Sequence, residues 1–350
     1  MQITTTRMKL ELLHTFRIAR SADDYRESVI VRLEYGEQSG LGEAAPMSRY
    51  GQTGPSAQEA LKKLDTELLE PASHINDVLE RASEALGKER AALAAIDIAL
   101  HDILGKRLGV PLYSIFGLNP KHTPVTSFTI GIDEPDVIEE KVLEANDFPI
   151  LKVKMGLEND HVIMERIRKV TDRPVRVDAN EGWSKEEALE KIEWLASQNV
   201  EFVEQPLAAD DPDACRWLAE RSPLPLFADE SVLGLSDIPG LRGAFHGINI
   251  KLTKCGGVRE ALRMIHTTRA CGMMVMLGCT VESSIGITAA AHLSPLVDYA
   301  DLDGNVLVSN DPAVGARTDQ GKLVLPQGSG LGVTLRDGPV RDALTERQNR

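Results

Sequence analysis

The sequence predicts an α/β protein in which a closed barrel of eight parallel strands follows a smaller α+β domain. Within residues 1–115, strand patterns come first and helical patterns second, which is typical of an α+β unit. Eight short apolar runs then alternate with helical patterns over residues 116–310, and strands joined by helices run parallel. Residues 311–350 carry weaker strand signals, and we expect them to return and cover the first domain.

The composition is that of a soluble globular protein. The chain has 350 residues, of which 42% are hydrophobic and 26% are charged. A formal net charge of −14 disfavours nucleic acids and anionic membranes as partners, because both reward clustered Lys and Arg. The four cysteines form no Cys-x-x-Cys pair, the N-terminus lacks a signal-peptide pattern, and no apolar run could span a bilayer. We therefore expect a cytoplasmic protein with reduced thiols.

Local patterns predict the elements of the first domain. The strand segments are "MKLELLHTF", "SVIVRLEYG" and "GLGEAAP". A helix is predicted from Ser56, because Ser56 and Glu59 have the spacing of a capping box. A longer helix, in "KERAALAAIDIALHDILGKRLG", has small apolar residues on one face and is expected to end at Gly109, before Pro111.

The second domain repeats a strand–helix unit. Its predicted strands lie near residues 125–131, 149–154, 174–178, 199–204, 224–229, 246–251, 273–277 and 298–302. The clearest helix is "SKEEALEKIEWLASQ", with Ser184 as its N-cap and Glu187 completing a capping box. Functional residues of such barrels lie at the carboxyl ends of the strands. The last residues of each strand are therefore the candidates for chemistry.

Three successive strands end in carboxylates. Asp178, Glu204 and Asp229 end the third, fourth and fifth strands, with separations of 26 and 25 residues. Because converging carboxylates repel one another, we expect a cation between them. Oxygen ligands favour a hard divalent ion, and Mg²⁺ suits a site that keeps coordination positions open for a substrate.

Lysines end the strands on either side of these carboxylates. Lys152 and Lys154 lie in the second strand and Lys251 ends the sixth, and these strands face each other across a barrel of eight. Burial and a neighbouring ammonium both lower the pKa of a lysine toward the range of a general base. We therefore predict that Lys154 is a base and that Lys152 tunes its pKa.

Each motif alone has an ordinary structural explanation. Lys-x-Lys can be the solvated face of an edge strand, and "DAN" can be a turn. Asp301 and Asp303, which end the eighth strand, can be a helix cap or a surface turn, and Glu282 can contact a substrate or cap a helix. Acid and amine groups at five successive strand ends are hard to explain as solvated surface, so the set indicates a catalytic site.

With these residues in hand, nearly the whole chain resembles the enolase superfamily, in its muconate-lactonising-enzyme subgroup. The motifs that carry the resemblance are "AAIDIALHDILGKRLGVPLYSIFG", "LKVKMG", "VDANEGW", "VEQPL", "FADES" and "INIKLTKCGG". The resemblance implies a modified TIM barrel, (β/α)7β, with an N-terminal α+β capping domain that the C-terminal segment completes. It also implies one Mg²⁺ per subunit, held by Asp178, Glu204 and Asp229, with Lys154 and Lys251 as the acid/base pair.

Neighbouring residues receive supporting roles from the same resemblance. Asn180 and Glu230 follow two of the metal ligands, and we expect them to support those ligands. Lys254 lies one helical turn beyond Lys251 and is a weaker candidate for a base.

The subgroup contains cycloisomerases, o-succinylbenzoate synthases, amino-acid racemases and dipeptide epimerases. The "DLDG" of strand eight is similar to the Asp-x-Asp by which L-Ala-D/L-Glu epimerases and their relatives hold the α-ammonium of a dipeptide. We therefore expect a Mg²⁺-dependent epimerase that inverts the α-carbon of the second residue of an L-Xaa-L-Yaa dipeptide. One lysine would remove the α-proton to give an enolate, and the other would return a proton on the opposite face.

Alternatives and specificity stay open at this point. An N-acylamino-acid racemase or o-succinylbenzoate synthase is the nearest alternative, and a non-catalytic barrel would have little use for both lysines and three carboxylates. The predicted substrate contacts are Lys152, Asp301, Asp303, Arg20, Asp23, Asp24 and Thr129. Asp23 and Asp24 fall where Ala-Glu enzymes place an arginine, so we expect a neutral or cationic second residue. The sequence is compatible with a homo-oligomer.

Overall fold

The computed structural model describes residues 1–70, 72 and 74–345. An antiparallel sheet of three strands precedes a parallel sheet of eight strands, and each is covered by its own helices. The predicted fold class, a (β/α)7β barrel with an N-terminal α+β capping domain, is confirmed. The domain boundaries 1–115, 116–310 and 311–350 stay predictions.

In the capping domain, the strands come first along the chain and the helices follow. The strands are β1 (Gln2–Ile18), β2 (Ser21–Tyr35) and β3 (Gln38–Ala44), and the helices are α1 (Gly54–Lys63), α2 (Ile75–Leu86), α3 (Arg90–Leu108) and α4 (Leu112–Ile115). Helix α3 packs directly on β3, where a Cβ on Gly42 would lie 1.9 Å from the carbonyl oxygen of Ala95. Glycine at this position therefore permits a close helix–strand approach.

Helix α1 begins earlier than its sequence predicted. Thr53, not Ser56, is the N-cap: the Thr53 hydroxyl accepts a hydrogen bond from the Ser56 amide, and the Ser56 hydroxyl accepts one from the Thr53 amide. The expected capping box between Ser56 and Glu59 is therefore wrong. The same residue types allow both registers, and the proline at the second helical position favours the earlier start.

The parallel strands form a closed barrel. They are β4 (Phe128–Ile130), β5 (Leu151–Lys154), β6 (Val175–Asp178), β7 (Val200–Glu204), β8 (Leu226–Ala228), β9 (Gly247–Ile250), β10 (Met274–Gly278) and β11 (Tyr299–Asp301). Each strand pairs with the next in sequence order, and a bridge between Thr126 and Ala300 joins the first strand to the last. All eight predicted strands are present at the predicted places.

Helices surround the barrel on its outside. They are α5 (Pro135–Glu144), α6 (Asp160–Val170), α7 (Lys185–Leu195), α8 (Pro212–Ala219), α9 (Ile238–Leu241), α10 (Leu252–Cys255), α11 (Val258–Ala270) and α12 (Ser284–Ala291). The predicted capping box of α7 is confirmed, because Ser184 and Glu187 exchange hydrogen bonds at its start. Of the described helices, none has the length and apolar character needed to cross a membrane.

The C-terminal segment returns to the capping domain. It contains β12 (Ala313–Val314), β13 (Arg317–Asp319), β14 (Lys322–Val324), β15 (Thr334–Leu335) and α13 (Pro339–Thr345). The amide of Leu331 donates to Asp102 of α3 at 2.8 Å, and the amide of Leu112 donates to the carbonyl of Gly330 at 2.8 Å. Helix α13 then packs against β1 and β2. The last segment therefore completes the first domain, as predicted.

Candidate active site

A cavity of about 140 Å³ lies between the carboxyl ends of the barrel strands and the loops of the capping domain. The barrel contributes Thr129, Lys152, Lys154, Asn180, Asp229, Lys251, Cys279, Thr280, Val281, Asp301, Asp303, Gly304 and Leu307. The capping domain contributes Phe16, Ile18, Arg20, Ser21, Arg26, Glu27, Ala45, Pro46, Met47, Ser48 and Arg49. Most of the residues predicted from the strand ends therefore share one cavity.

Of the three predicted metal ligands, Asp229 lines this cavity, whereas Asp178 and Glu204 lie behind its lining, in contact with Lys154 and Lys152. Asp178, Glu204 and Asp229 are buried, and one oxygen of each lies within 4.8 Å of the others. Burial alone would raise the pKa of Asp178. The charges of the nearby lysines outweigh this effect and lower the pKa to about 2. Burial, followed by the charge of Asp178, raises the pKa of Glu204 to about 7. Such crowding of like charges calls for a cation.

The donor set fits Mg²⁺. All three groups offer hard carboxylate oxygens on neighbouring strands, as a small divalent cation requires. Glu204 Oε2 accepts no well-directed hydrogen bond, although Lys152 Nζ lies 2.6 Å away, while Glu204 Oε1 accepts one from Asn249 at 2.7 Å. One buried oxygen of the trio is therefore available as a ligand.

Two buried lysines lie at opposite ends of the trio. Lys154 Nζ is 2.6 Å from Asp178 Oδ2, and Lys251 Nζ is 2.8 Å from Asp229 Oδ2. Lys154 ends β5 and Lys251 follows β9, and these strands are four apart in the closed ring of eight. Their ammonium groups therefore approach the bottom of the cavity from different sides.

Lys152 has a different environment from the one predicted. Its Nζ lies 2.6 Å from Glu204 Oε2, 2.7 Å from Asp301 Oδ2 and 3.2 Å from Asp178 Oδ2. Burial lowers the pKa of Lys152, but these carboxylates outweigh it and raise the pKa well above the ordinary value. The pKa of Lys251 is raised in the same way, chiefly by Asp229. For Lys152 and Lys251, the nearby carboxylates therefore outweigh the effect of burial.

Lys254 is held away from the cavity. Its Nζ donates to Asp229 Oδ1 at 2.5 Å and to the carbonyl oxygens of Asp229 and Val232, at 2.6 and 3.1 Å. These contacts orient Asp229 from outside the residues that line the cavity. Lys254 therefore supports a carboxylate, in keeping with its prediction as a weaker candidate for a base.

The end of β11 makes one wall of the cavity acidic. Asp301 accepts hydrogen bonds from Ser127 and Lys152, both at 2.7 Å, whereas Asp303 accepts one from the amide of Thr129 at 2.6 Å. Burial and the neighbouring charge of Asp301 raise the pKa of Asp303 to about 7. A cationic group beside Asp303 would relieve this repulsion.

The capping-domain residues predicted to contact substrate separate into two groups. Arg20 lines the cavity, but Asp23 and Asp24 do not. Asp23 pairs with Arg26 at 2.8 Å, and Asp24 accepts a hydrogen bond from Thr15 at 2.7 Å. Both acidic groups are therefore engaged within the β1–β2 hairpin, and Arg26 faces the cavity in their place.

Among the lining residues that the sequence did not assign to the site are Arg49 and Cys279. Arg49 lies in "MSRYGQTG", the segment that follows β3, so a cation in that stretch was the available signal. Cys279 directly follows β10, and its strand-end position was a signal of the same kind as for the lysines.

The loops after β5 and β6 touch through two glycines. A Cβ on Gly182 would lie 2.5 Å from the Cα of Gly156, and Gly156 has a positive φ of 111°. Asp160, at the start of α6, accepts hydrogen bonds from the Gly156 amide at 3.1 and 3.2 Å. The segments that follow Lys154 and Asp178 are therefore fixed to each other.

The loop after β10 is held by a carboxylate of the capping domain. Glu43 accepts hydrogen bonds from the amides of Ser283 and Gly286, each at 2.9 Å. Glu282 accepts from the amide and hydroxyl of Thr280, at 2.9 and 3.1 Å, and is not among the lining residues. Burial and the charge of Glu43 raise the pKa of Glu282 to about 7. Glu282 therefore holds the loop after β10 and takes neither of its two predicted roles, because it does not line the cavity and Ser283 is the N-cap of α12.

Comparison with known proteins extends over nearly the whole chain. An L-Ala-D/L-Glu epimerase from Bacteroides thetaiotaomicron is 46% identical over 335 residues, covering 95% of this chain and 88% of its own. An L-Ala-D/L-amino acid epimerase from Pedosphaera parvula is 41% identical over 332 residues, covering 92% and 95%. The crystal structure of a dipeptide epimerase from Enterococcus faecalis, complexed with Mg and L-Leu-L-Tyr, is 33% identical with a TM-score of 0.90, covering 95% and 99%.

Two family profiles match the chain. Residues 2–117 match the N-terminal domain of the mandelate racemase / muconate lactonizing enzyme family, and residues 137–338 match the enolase C-terminal domain-like family. The chain therefore belongs to the mandelate racemase / muconate lactonizing enzyme family of the enolase superfamily.

Proposed function

We propose that this protein is a Mg²⁺-dependent dipeptide epimerase that inverts the α-carbon of the second residue of an L-Xaa-L-Yaa dipeptide. The observation that carries the proposal is the placement of Lys154 and Lys251 at opposite ends of three buried carboxylates, beside an acidic wall at the end of β11. Two bases on different sides of one carbon are what inversion by proton exchange requires.

Asp178, Glu204 and Asp229 would hold the ion. When bound, Mg²⁺ would supply positive charge that stabilises the negative charge developed on the substrate carboxylate as the α-proton leaves, and that offsets the carboxylates that raise the pKa values of Lys152 and Lys251. Lys154 and Lys251 then exchange the α-proton, one removing it and the other returning one to the opposite face. Asn180 and Glu230, whose side chains are 3.3 Å apart, support the segments that carry the ligands.

The acidic wall supports a dipeptide over an N-blocked amino acid. Asp301 is already paired with Lys152, so Asp303 has the greater need of a cationic partner. A free α-ammonium group supplies that charge, whereas an N-acyl or N-succinyl group does not. Thr129 fixes Asp303 through its amide and lines the same wall. An N-acylamino-acid racemase therefore remains the second candidate. The shared fold supports it, but the acidic wall does not.

The second side chain would lie under the capping domain. Arg20, Arg26 and Arg49 line this region, whereas the carboxylates that pair with them do not. A cationic side chain of the substrate would meet the guanidinium groups first and is therefore disfavoured. The expectation of a cationic second residue thus loses its basis, because Asp23 and Asp24 do not line the cavity. We infer a preference for acidic or neutral second residues.

The test is α-proton exchange with a panel of dipeptides. Purified protein with Mg²⁺ in D₂O should introduce one deuterium into L-Ala-L-Glu and L-Ala-L-Leu, read by mass spectrometry, with appearance of the L,D diastereomer. L-Ala-L-Lys should react more slowly. N-acetyl-L-Ala-L-Glu and N-succinyl amino acids are the matched controls, because they lack the α-ammonium. Exchange confined to the N-blocked compounds would replace the proposed function by its alternative.

Cytoplasmic location and homo-oligomerisation stay predictions. Chromatography with light-scattering detection would measure the oligomeric state.

A further inference from the structure

Two arginines of the capping domain reach across the cavity to the barrel. Arg20 lies in the turn between β1 and β2, and Arg49 lies in a short 3-10 helix after β3. Arg49 Nη2 is 2.8 Å from Glu181 Oε1 and 2.6 Å from Oε2. Arg20 donates to Glu230 Oε1 at 2.6 Å and to the carbonyl of Asn180 at 2.9 Å. Both loops that cover the cavity are thus tied to the barrel.

The barrel partners are built for this contact. The Glu181 side chain is 13% exposed and that of Glu230 is 1% exposed, so neither carboxylate is freely solvated. Asn180 and Glu181 both have positive φ, at 45° and 66°, a conformation that non-glycine residues rarely adopt. The Glu181 carboxylate also accepts a hydrogen bond from the amide of Ala209 at 2.9 Å. The strained backbone therefore presents one carboxylate toward the capping domain.

The contact differs from an ordinary surface ion pair. Exposed pairs contribute little, because water solvates both charges when the pair breaks. Here the arginines are about one-third exposed, but their partners are largely buried. Moving a loop away would leave a carboxylate poorly solvated, which is unfavourable. The pairs therefore resist displacement of the loops that carry Ile18 and Met47 over the cavity.

We propose that Arg20 and Arg49 are positioning residues that fasten the two capping-domain loops to Glu230 and Glu181 and so hold the substrate cavity closed. The role of this fastening in catalysis rests on the proposed function. A closed cavity excludes water and holds the second side chain of the substrate against the capping domain. Because Glu181 follows Asp178 by three residues and Glu230 adjoins Asp229, the fastening acts on the segments that carry two predicted metal ligands.

Hydrogen exchange of the loops tests the proposal directly. In the Mg²⁺-loaded enzyme, R49M and R20M should each raise amide exchange in peptides that cover residues 16–26 and 45–53. R166M is the matched control: its side chain is 33% exposed, as against 34% for Arg49, and it pairs with Asp136 and Glu139 away from the cavity. Unchanged loop exchange in both R49M and R20M would overturn the proposal.

Two further variants guard against a folding defect. R49K keeps the charge and should restore part of the protection, and E181Q should reproduce the loop exchange of R49M from the barrel side. The double variant R49M/E181Q should exchange no faster than E181Q alone, because E181Q already acts on the contact that R49M removes and also on the Arg20–Glu181 pair at 3.5 Å. Additive increases in the double variant would contradict a shared contact.

Kinetics supply a separate measurement. If loss of the contact lowers the closed fraction to about one-tenth, the apparent dissociation constant of the dipeptide rises about tenfold. R49M should therefore raise KM about tenfold, with kcat changed by less than about threefold. A kcat loss at unchanged KM would contradict closure as the function of the contact. If the wild-type enzyme exchanged the α-proton of no dipeptide, the proposed function would be wrong. The amide exchange of the loops tests the ion pairs separately and does not depend on that result.

Discussion

Replacing Lys154 or Lys251 by alanine should abolish epimerisation. Each lysine is buried and lies within 2.8 Å of a different carboxylate of the trio, so neither can substitute for the other. A positioned acid/base group contributes about 10²- to 10⁴-fold to the rate, and we expect a loss of at least that size. The measurement is formation of the L,D diastereomer of L-Ala-L-Glu.

A buried lysine outside the cavity provides the control for this experiment. Lys141 is 6% exposed at its side chain and pairs with Asp133 at 2.8 Å on the outside of the barrel. K141A should keep kcat within about threefold of wild type. Wild-type turnover by K154A or K251A would refute the two-base scheme.

The buried carboxylate Glu282 predicts a pH effect on stability. Its pKa is raised to about 7 in the folded protein, so the folded state binds a proton that the unfolded state has released above about pH 4.5. Stability from this group therefore falls as pH rises from about 4.5 to about 7. E282Q carries no charge, so its melting temperature minus that of wild type should increase between about pH 5 and about pH 8.

Thermal melts of both proteins at each pH, at constant Mg²⁺, provide the measurement. The conservative change keeps an amide oxygen that can accept from Thr280, so the loop after β10 retains its contact. A difference that stays the same at both pH values would show that Glu282 does not titrate in this range.

Site residues at strand ends were the easiest to assign from the sequence. Asp178, Glu204 and Asp229 each close a buried apolar run, and parallel strands in register bring their last residues to one rim. Asp23 and Asp24 could not be placed in this way, because β1 and β2 shift register between Glu11 and Phe16. The direction in which the pKa values of Lys152 and Lys251 shift could not be predicted from the sequence either, because it depends on which carboxylates lie within a few ångströms.

At the scale of elements, G182A should impair the site without unfolding the protein. A Cβ there would meet the backbone of Gly156, so the loops after β5 and β6 must separate, and Lys154 and Asp178 move with them. We expect at least a tenfold loss of kcat/KM and weaker Mg²⁺ affinity, because small misplacements at a reacting centre are costly. Titration calorimetry and steady-state kinetics measure the two effects.

A matched glycine provides the control for that substitution. A Cβ on Gly240, in α9, has nothing within 4 Å, and its φ is not positive, so G240A should leave both quantities unchanged. Equal behaviour of the two variants would show that the Gly156–Gly182 approach does not position the site.

Elements with regular patterns were predicted, and irregular ones were not. Helix α7 has one N-cap candidate followed by a continuous helical pattern, and its start was located correctly. Helix α1 was predicted to begin at Ser56, and only the hydrogen bonds of the folded chain identify Thr53 as its N-cap. Strand β1 extends over 17 residues, longer than its apolar pattern, because pairing with β2 continues past the irregularity.

For the whole molecule, Mg²⁺ should raise the melting temperature. Only the folded chain brings the three carboxylates within 4.8 Å, so the ion binds the folded state preferentially. At a free concentration of 100 times its dissociation constant, the stabilisation is about 2.7 kcal/mol. Scanning calorimetry against Mg²⁺ concentration measures the shift, and D178N, which removes one charged ligand, should reduce it. A melting temperature independent of Mg²⁺ in the wild type would contradict the metal site.

The architecture as a whole followed from the order of patterns along the chain. Eight alternating strand–helix units leave a parallel barrel as the natural arrangement, and the structure has it. How the C-terminal segment joins the capping domain was less accessible, because hydrogen bonds such as Leu331 to Asp102 join residues that are 229 positions apart. No local pattern encodes such a contact.

That same contact has a consequence for biosynthesis. Asp102 emerges from the ribosome early, but its partner amide at Leu331 emerges only after the barrel strands have been translated. Asp102 of α3 therefore lacks this hydrogen-bond partner while more than half of the polypeptide is synthesised. A nascent chain stalled before Leu331 would therefore carry every predicted catalytic side chain but lack the segment that completes the capping domain.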